Sequence, residues 1–176
     1  QQTDSRYLQA VDEYVPAPGQ FVNLLPAYAS GDDARSMAAK CTAALANNAR
    51  GLVSLGGYGG YLTFHFDHRV ANIHGENDLY IAGNSFASAD PQWAALGGAS
   101  EPGIVMVSRD DNRNGLPDDQ WYELRGSADE DSVGRVDYAY ALHYTRTTEG
   151  AITWSDNRGN QGAVTTNAYH SQHYFP

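Results

Sequence analysis

A chain of 176 residues has room for one compact domain with a sizeable core. Its formal charge of −10, from 11 basic and 21 acidic residues, argues against a nucleic-acid partner, because phosphate binding needs clustered Lys and Arg. The same balance favours solubility and cation binding.

Eighteen glycines and twelve tyrosines, with only 18% charged residues, point to short strands joined by tight turns. The expected class is all-β, or β-dominated. The single cysteine, Cys41, leaves no internal disulfide, so stability must come from a core or a metal. No run approaches the length of apolar residues that a membrane-spanning helix needs.

In chain order, YVPAPGQFVNLLPAYASG, with three prolines and two glycines, reads as an extended arm over the surface. DDARSMAAKCTAALANN follows as the one convincing helix. Ala34, Met37, Ala38, Cys41 and Leu45 recur at helical spacing as one apolar stripe, with Asp32 or Asp33 to cap its start and Asn47–Asn48 to end it. Cys41 on that stripe reads as a small buried hydrophobe.

From Gly51 the pattern changes to period two. A strand over 52–55, a glycine-rich connection, and a strand with Leu62, Phe64 and Phe66 on one face are expected. The connection SLGGYGGYL lacks the following helix and the Lys of a phosphate loop, so its glycines read as a bulge or a close backbone crossing. DLYIAG, GIVMVS, QWYELRG, DYAYALHYTR and AITWS follow as further short strands. Their spacing favours a jelly-roll-like β-sandwich with one N-terminal helix packed on it. The expected organisation is a single domain over 1–176, with arm and helix in 1–50 and sandwich strands in 51–176.

The chemistry concentrates in one loop. From Asp110, D-D-N-R-N-G-L-P-D-D places oxygen side chains at loop positions one, three and five and glycine at six, as in the first half of an EF-hand calcium loop. Alternate residues of a tightly wound loop point inward, and glycine permits the turn that brings the next carbonyl to the ion. The expected ligands are Asp110, Asn112, Asn114, the Leu116 carbonyl and Asp118, with Asp119 as the alternative closing group. Position twelve is Trp121 rather than a bidentate Glu, and both flanks read as strands, so the loop is a hairpin and not an EF-hand. Oxygen donors without sulfur or imidazole suit a structural Ca²⁺ ion. The plainer reading is a solvated hairpin whose Asp and Asn side chains satisfy backbone groups.

Other constellations are weaker. His65, His68 and His74 form a loose cluster that could suggest zinc, but His65 alternates with strand residues and the other two sit near turns; His170 and His173 stand three apart next to the end of the chain. Asp67, Glu76, Asp78, Glu101 and Glu123 could each supply one carboxylate of a glycosidase pair, which requires two facing acids and one of them desolvated. The acidic run Asp129, Glu130, Asp131 reads as a solvated turn. Tyr138, Tyr140 and Tyr144 share a strand face with Leu142, and Trp93, Trp121 and Trp154 fall near strand ends. Such rings fill a core or stack on a sugar or a flat cofactor.

The strings VSLGGYGGYLTFHFDHRVANIHGENDLYIAGNSF, SEPGIVMVSRDDNRNGLPDDQWYELRGS, ITWSDNRGNQG and YHSQHYFP together resemble a group of secreted or lipid-anchored cell-surface proteins of anaerobic gut bacteria. The resemblance runs from VPAPGQFVNLLP onward and is most specific around EPGIVMVS and NGLPDD. It implies an extracellular β-sandwich module, one domain of a longer outer-membrane surface protein, that captures a glycan or a corrinoid such as cobalamin beside uptake machinery. It places no catalytic residue. The expectation is therefore a non-enzymatic, calcium-stabilised ligand-binding module, with a glycoside hydrolase or a structural adhesion or spacer domain as the alternatives.

Overall fold

A computed structural model describes residues 5–94, 97–126, 129, 137–147 and 150–176. Contacts along the chain divide it into two compact units, Gln1–Arg69 with Asp137–Pro176, and Val70–Val136. The chain is β-dominated and carries one N-terminal helix of substantial length. The described strands form four small antiparallel sheets of two, two, two and three strands, none with the four strands per sheet that a jelly roll stacks.

In the first unit, β1 (Ala10–Val15) pairs antiparallel with β2 (Tyr61–His65), and helix α1 (Ala34–Leu45) packs on β1. The register slips between Val11 and Glu13, so Asp12 is a bulge residue. The slip lets Val11 and Tyr14, three apart, both enter one core with Ala38 and Cys41. Met37, Leu45, Val53, Leu62 and Phe64 close around them. Full burial of an aliphatic side chain such as Val22 or Ile152 contributes about 1.5–3 kcal/mol. The Tyr14 hydroxyl, which could not be buried bare, donates to the Ser54 carbonyl at 2.7 Å. The Val11 amide donates to the Thr42 hydroxyl of the helix at 2.9 Å.

The helix starts and stops where local chemistry directs. The Asp33 side chain accepts from the Ser36 amide at 2.8 Å, and the Ser36 hydroxyl accepts from the Asp33 amide at 2.9 Å, a reciprocal capping box. At the other end Asn47 and Asn48 take left-handed φ values of 53° and 65°. Of the expected stripe, Ala38 and Cys41 are buried, Met37 and Leu45 are half-buried, and Ala34 is exposed at the first turn. Cys41 is fully inaccessible, and burial pushes its thiol up to about 11.

The expected surface arm is instead partly interior. Ala17 and Val22 are buried, Phe21 and Asn23 turn the chain through left-handed φ, and the C-terminal segment docks on it. The Gly19 amide donates to the Tyr174 carbonyl at 3.0 Å, and the Asn23 carboxamide donates to the Phe175 carbonyl at 2.8 Å. Residues 52–55 form no strand. They and the following glycines run against Ala17–Gly19, with the Ala17 amide donating to Leu55 and the Gly57 amide to Pro18, both at 3.0 Å. This is a close backbone crossing, and only glycine fits it. A Cβ on Gly60 would lie 1.8 Å from the Leu55 carbonyl oxygen.

The unit is completed by a three-stranded meander, β7 (Leu142–Tyr144), β8 (Ile152–Asp156) and β9 (Gln161–Val164). On it the Trp154 ring lies over its cross-strand partner Gly162 and fills the space that a side chain would take. Tyr138, expected on the face of the strand with Tyr140 and Tyr144, lies before β7 in a turn. Ala139 at φ 54° breaks the alternation there.

In the second unit, strands β3 (Phe86–Ala87) and β4 (Gly98–Ala99) form one short pair flanking a single helical turn, α2 (Pro91–Ala94). Strands β5 (Met106–Ser108) and β6 (Trp121–Glu123) form another pair. DLYIAG is not a strand: it pairs with no described residue's backbone, and Tyr80 and Ile81 are exposed. Among the described residues, every fully buried apolar side chain belongs to the first unit.

The crossing makes a specific prediction. Gly60→Ala forces a backbone clash and should cost about 2–4 kcal/mol in urea unfolding. Gly59→Ala, at φ 92° but with open space around it, should cost only about 1–2 kcal/mol from left-handed strain. Equal costs would show that the close approach is absent.

Candidate metal centre in the β5–β6 hairpin

Strands β5 and β6 pair Ser108 with Trp121, Val107 with Tyr122 and Met106 with Glu123, leaving residues 109–120 as the connecting loop. The base of the loop is tied by the Ser108 hydroxyl, which donates to the Gln120 carbonyl at 2.9 Å. Trp121, the residue that displaces an EF-hand glutamate at position twelve, sends its indole N–H back to the Pro117 carbonyl at 3.2 Å.

Within the loop, backbone amides organise the first expected ligand. Asp110 accepts from the Asn114 amide through Oδ1 and from the Gly115 amide through Oδ2, both at 3.1 Å. Its carboxylate is thus held by the N–H groups of loop positions five and six. Arg113 and Gly115 make the turn with φ of 62° and 74°. The Asn112 Oδ1 accepts from the Asn114 amide at 2.9 Å, and the Asn114 Oδ1 accepts from the Leu116 amide at 2.7 Å.

The second expected carboxylate converges on the same residues. Asp118 Oδ1 accepts from the Asn112 carboxamide at 3.0 Å, and Oδ2 from the Asn114 carboxamide at 2.9 Å. These bonds, Asn114's first, hold the Asp118 carboxyl below the usual carboxylate range. The loop therefore brings Asp110, Asn112, Asn114 and Asp118 into one hydrogen-bonded group. Leu116 joins it through its backbone amide, with its side chain exposed.

Asp119 stands apart. Its Oδ2 is buried and has no hydrogen-bond partner among the described residues. A carboxylate oxygen desolvated in this way is costly unless a cation or a donor meets it. Asp111 is engaged elsewhere, in an exposed ion pair with Arg109 at 2.8 Å that contributes little.

The donor chemistry fits a hard cation. Every candidate group offers oxygen, two of the groups are ionised carboxylates, and the turn is already wound. One rearrangement is required: Asn112 and Asn114 face Asp118 with amide nitrogen, and a half-turn of each carboxamide exchanges nitrogen for oxygen. Among the described residues, no group of three or more His, Cys, Asp and Glu is drawn together as a metal cluster. The acids of this loop count as ligands only together with the two asparagines.

No protein-family model and no curated protein sequence matches this chain.

The remaining candidates separate. His65 Nδ1 lies 2.8 and 3.0 Å from the two oxygens of Asp12, and His68 Nδ1 lies 2.7 Å from Asp67, so each ring faces a carboxylate of its own. His170 stacks edge-on against Phe21 at 4.5 Å. Of the five candidate catalytic acids, Asp67, Glu76, Asp78, Glu101 and Glu123, all are exposed. Asp78 accepts from the Ile73 amide at 3.1 Å, and Glu101 faces the Asn84 carboxamide at 3.5 Å. The turn expected at Asp129–Asp131 falls largely outside the described residues, and so does the side chain of Trp93.

Sequence reasoning missed a second Asx-organised turn. Asp156 accepts from the Arg158 and Asn160 amides, the Asn160 carboxamide and the Tyr140 hydroxyl, at 2.7 to 2.9 Å. Partial burial opposes its ionisation, but these donors outweigh that and bring it down to about 2. The S-D-N-R-G-N string was the available signal, since Asx turns favour this composition.

The titration of Asp118 tests the loop. Because its folded value lies below its unfolded one, its contribution to stability is present above the ordinary aspartate range and is lost as pH falls through the depressed value. In calcium-free buffer, Asn114→Ala should raise the midpoint of its carboxyl-carbon NMR titration. An unchanged midpoint would remove the Asn114 contact from the loop.

Proposed function

We propose that this chain is a non-enzymatic, calcium-stabilised ligand-binding module of a bacterial cell surface, capturing a glycan or a corrinoid for uptake. The observation that carries the calcium part is the convergence of Asp110, Asn112, Asn114 and Asp118 on one glycine turn. A cation there neutralises a carboxylate group that the loop's own N–H donors otherwise hold together.

The location of the loop supports the same reading. Small units without an apolar core commonly depend on a metal or a disulfide. No fully buried apolar side chain is found among the described residues of the unit that carries the loop, and the chain's one cysteine lies in the other unit. Calcium bound to the folded hairpin and not to the unfolded chain adds its binding free energy to stability. The cell-surface setting and the ligand classes rest on the sequence resemblance. No described helix is long and apolar enough to cross a membrane.

The test is thermal unfolding in EDTA and in millimolar Ca²⁺. Calcium should raise the midpoint by about 5 °C or more for a unit of this size if the concentration is well above the dissociation constant. Asp110→Ala should unfold at the same temperature in EDTA and in calcium, at or below the EDTA midpoint of the unaltered chain, because it also loses the Asn114 and Gly115 amide bonds. Identical midpoints for the unaltered chain in EDTA and in calcium would sink the proposal.

A further inference from the structure

The acidic loop also holds a reactive pair that a metal site does not use. Asn114–Gly115 is the chain's one Asn–Gly step. An asparagine carboxamide followed by glycine can close on the chain itself: the glycine amide nitrogen attacks Cγ, and with no Cβ on the glycine the approach is open. In this loop both reacting groups are restrained.

The nucleophile is engaged by a carboxylate. The Gly115 amide donates to Asp110 Oδ2 at 3.1 Å, in a turn where Gly115 takes a left-handed φ of 74°. The carboxamide is held at both of its polar atoms. Asn114 Oδ1 accepts from the Leu116 amide at 2.7 Å, and Nδ2, the nitrogen that has to leave, donates to Asp118 Oδ2 at 2.9 Å. The Asn114 backbone is fixed as well, its amide donating to Asp110 Oδ1 at 3.1 Å and to Asn112 Oδ1 at 2.9 Å. Ring closure has to swing Cγ onto the Gly115 nitrogen and strip that nitrogen of its proton, so these bonds must break first. The loop is nevertheless a part that opens readily. Asn114, Gly115 and Leu116 are exposed, and their unit has no fully buried apolar side chain among the described residues.

We propose that Asn114 is a self-modification site, a deamidation site gated by the opening of the β5–β6 loop. When the loop opens, the Gly115 nitrogen forms a bond to Asn114 Cγ and the Cγ–Nδ2 bond breaks. The carboxamide nitrogen leaves as ammonia, carrying the proton that Gly115 gave up, and a five-membered succinimide remains. Water, the one co-reactant, then opens that ring. Cleavage at Cγ leaves an aspartate at position 114, and cleavage at the backbone carbonyl carbon leaves an isoaspartate, with the chain rerouted through the side chain. In the metal-free loop either product sets a second carboxylate where the donor to Asp118 stood, and the like charges oppose reclosure. Isoaspartate also lengthens the backbone within the turn. Modification therefore holds open the loop whose opening permitted it. The gate consists of the loop's own hydrogen bonds and is independent of the calcium reading.

The experiment follows deamidation of the full chain in EDTA at neutral pH, folded and in guanidinium chloride, by peptide mass spectrometry with isoaspartate located by fragmentation. In guanidinium chloride Asn114 should react faster than any other asparagine of the chain. In the folded chain it should react about tenfold or more slowly than that. The slowing should match, within about threefold, the protection of the Gly115 and Leu116 amides against hydrogen exchange, because both processes sample the same opening. Asp110→Ala frees the Gly115 amide and Asp118→Ala frees the carboxamide, and each should speed the folded-chain reaction about fivefold or more. Asp111→Ala, whose carboxylate faces Arg109, should leave the rate unchanged. Equal rates in the folded and unfolded chain, slow deamidation beside unprotected Gly115 and Leu116 amides, or no acceleration in either Asp110→Ala or Asp118→Ala would overturn the assignment. The comparison of rate with exchange needs no variant, so it decides the question even where Asp110→Ala fails to fold. The calcium reading stands or falls separately on the EDTA melt.

Discussion

The unit Val70–Val136 has to hold four carboxylates in a twelve-residue hairpin loop without an apolar core among its described residues. Its order depends on how those charges are met. Backbone N–H groups at two loop positions hold Asp110, and two asparagine carboxamides hold Asp118. Each of these contacts is a charge-assisted bond from a neutral donor, and none removes a unit of negative charge. A divalent cation held by both carboxylates would do so directly. The proposal that calcium is a folding element of this hairpin rests on that imbalance.

The first unit solves its packing differently. A bulge at Asp12 rotates Tyr14 onto the face of Val11, so a short strand and one helix share a core around Cys41. Glycines at the crossing let two backbone segments approach to hydrogen-bonding distance. With shape settled by apolar packing, this unit can keep a left-handed Ala139 and an outward Tyr138 ring. Strain of this kind persists only where the surrounding structure determines it, and here the Asn157 carboxamide does so.

Legibility in the sequence followed the range of the forces involved. The helix, its Asp33 cap and its Asn47–Asn48 end were readable because caps and 3.6-residue periodicity are local. So was the turn of the acidic loop, whose D-x-N-x-N-G spacing led to the Asp110–Asn114–Asp118 group that the structure assembles. Strand β1 was not readable, because the bulge breaks the period-two pattern that would announce it. DLYIAG failed for the opposite reason: its pattern is strand-like, but nothing among the described residues pairs with it. The buried arm around Val22 and the Asp137–Arg158 ion pair depend on contacts between segments far apart in sequence, which no local spacing records.

The most direct measurement of the central claim is calorimetric titration of Ca²⁺ into chelator-stripped protein. One ion should bind per chain, with heat that disappears in Asp118→Ala and persists in Asp111→Ala, whose carboxylate faces Arg109 instead of the loop interior. No saturable heat at millimolar calcium, or equal binding by Asp118→Ala and the unaltered chain, would contradict it.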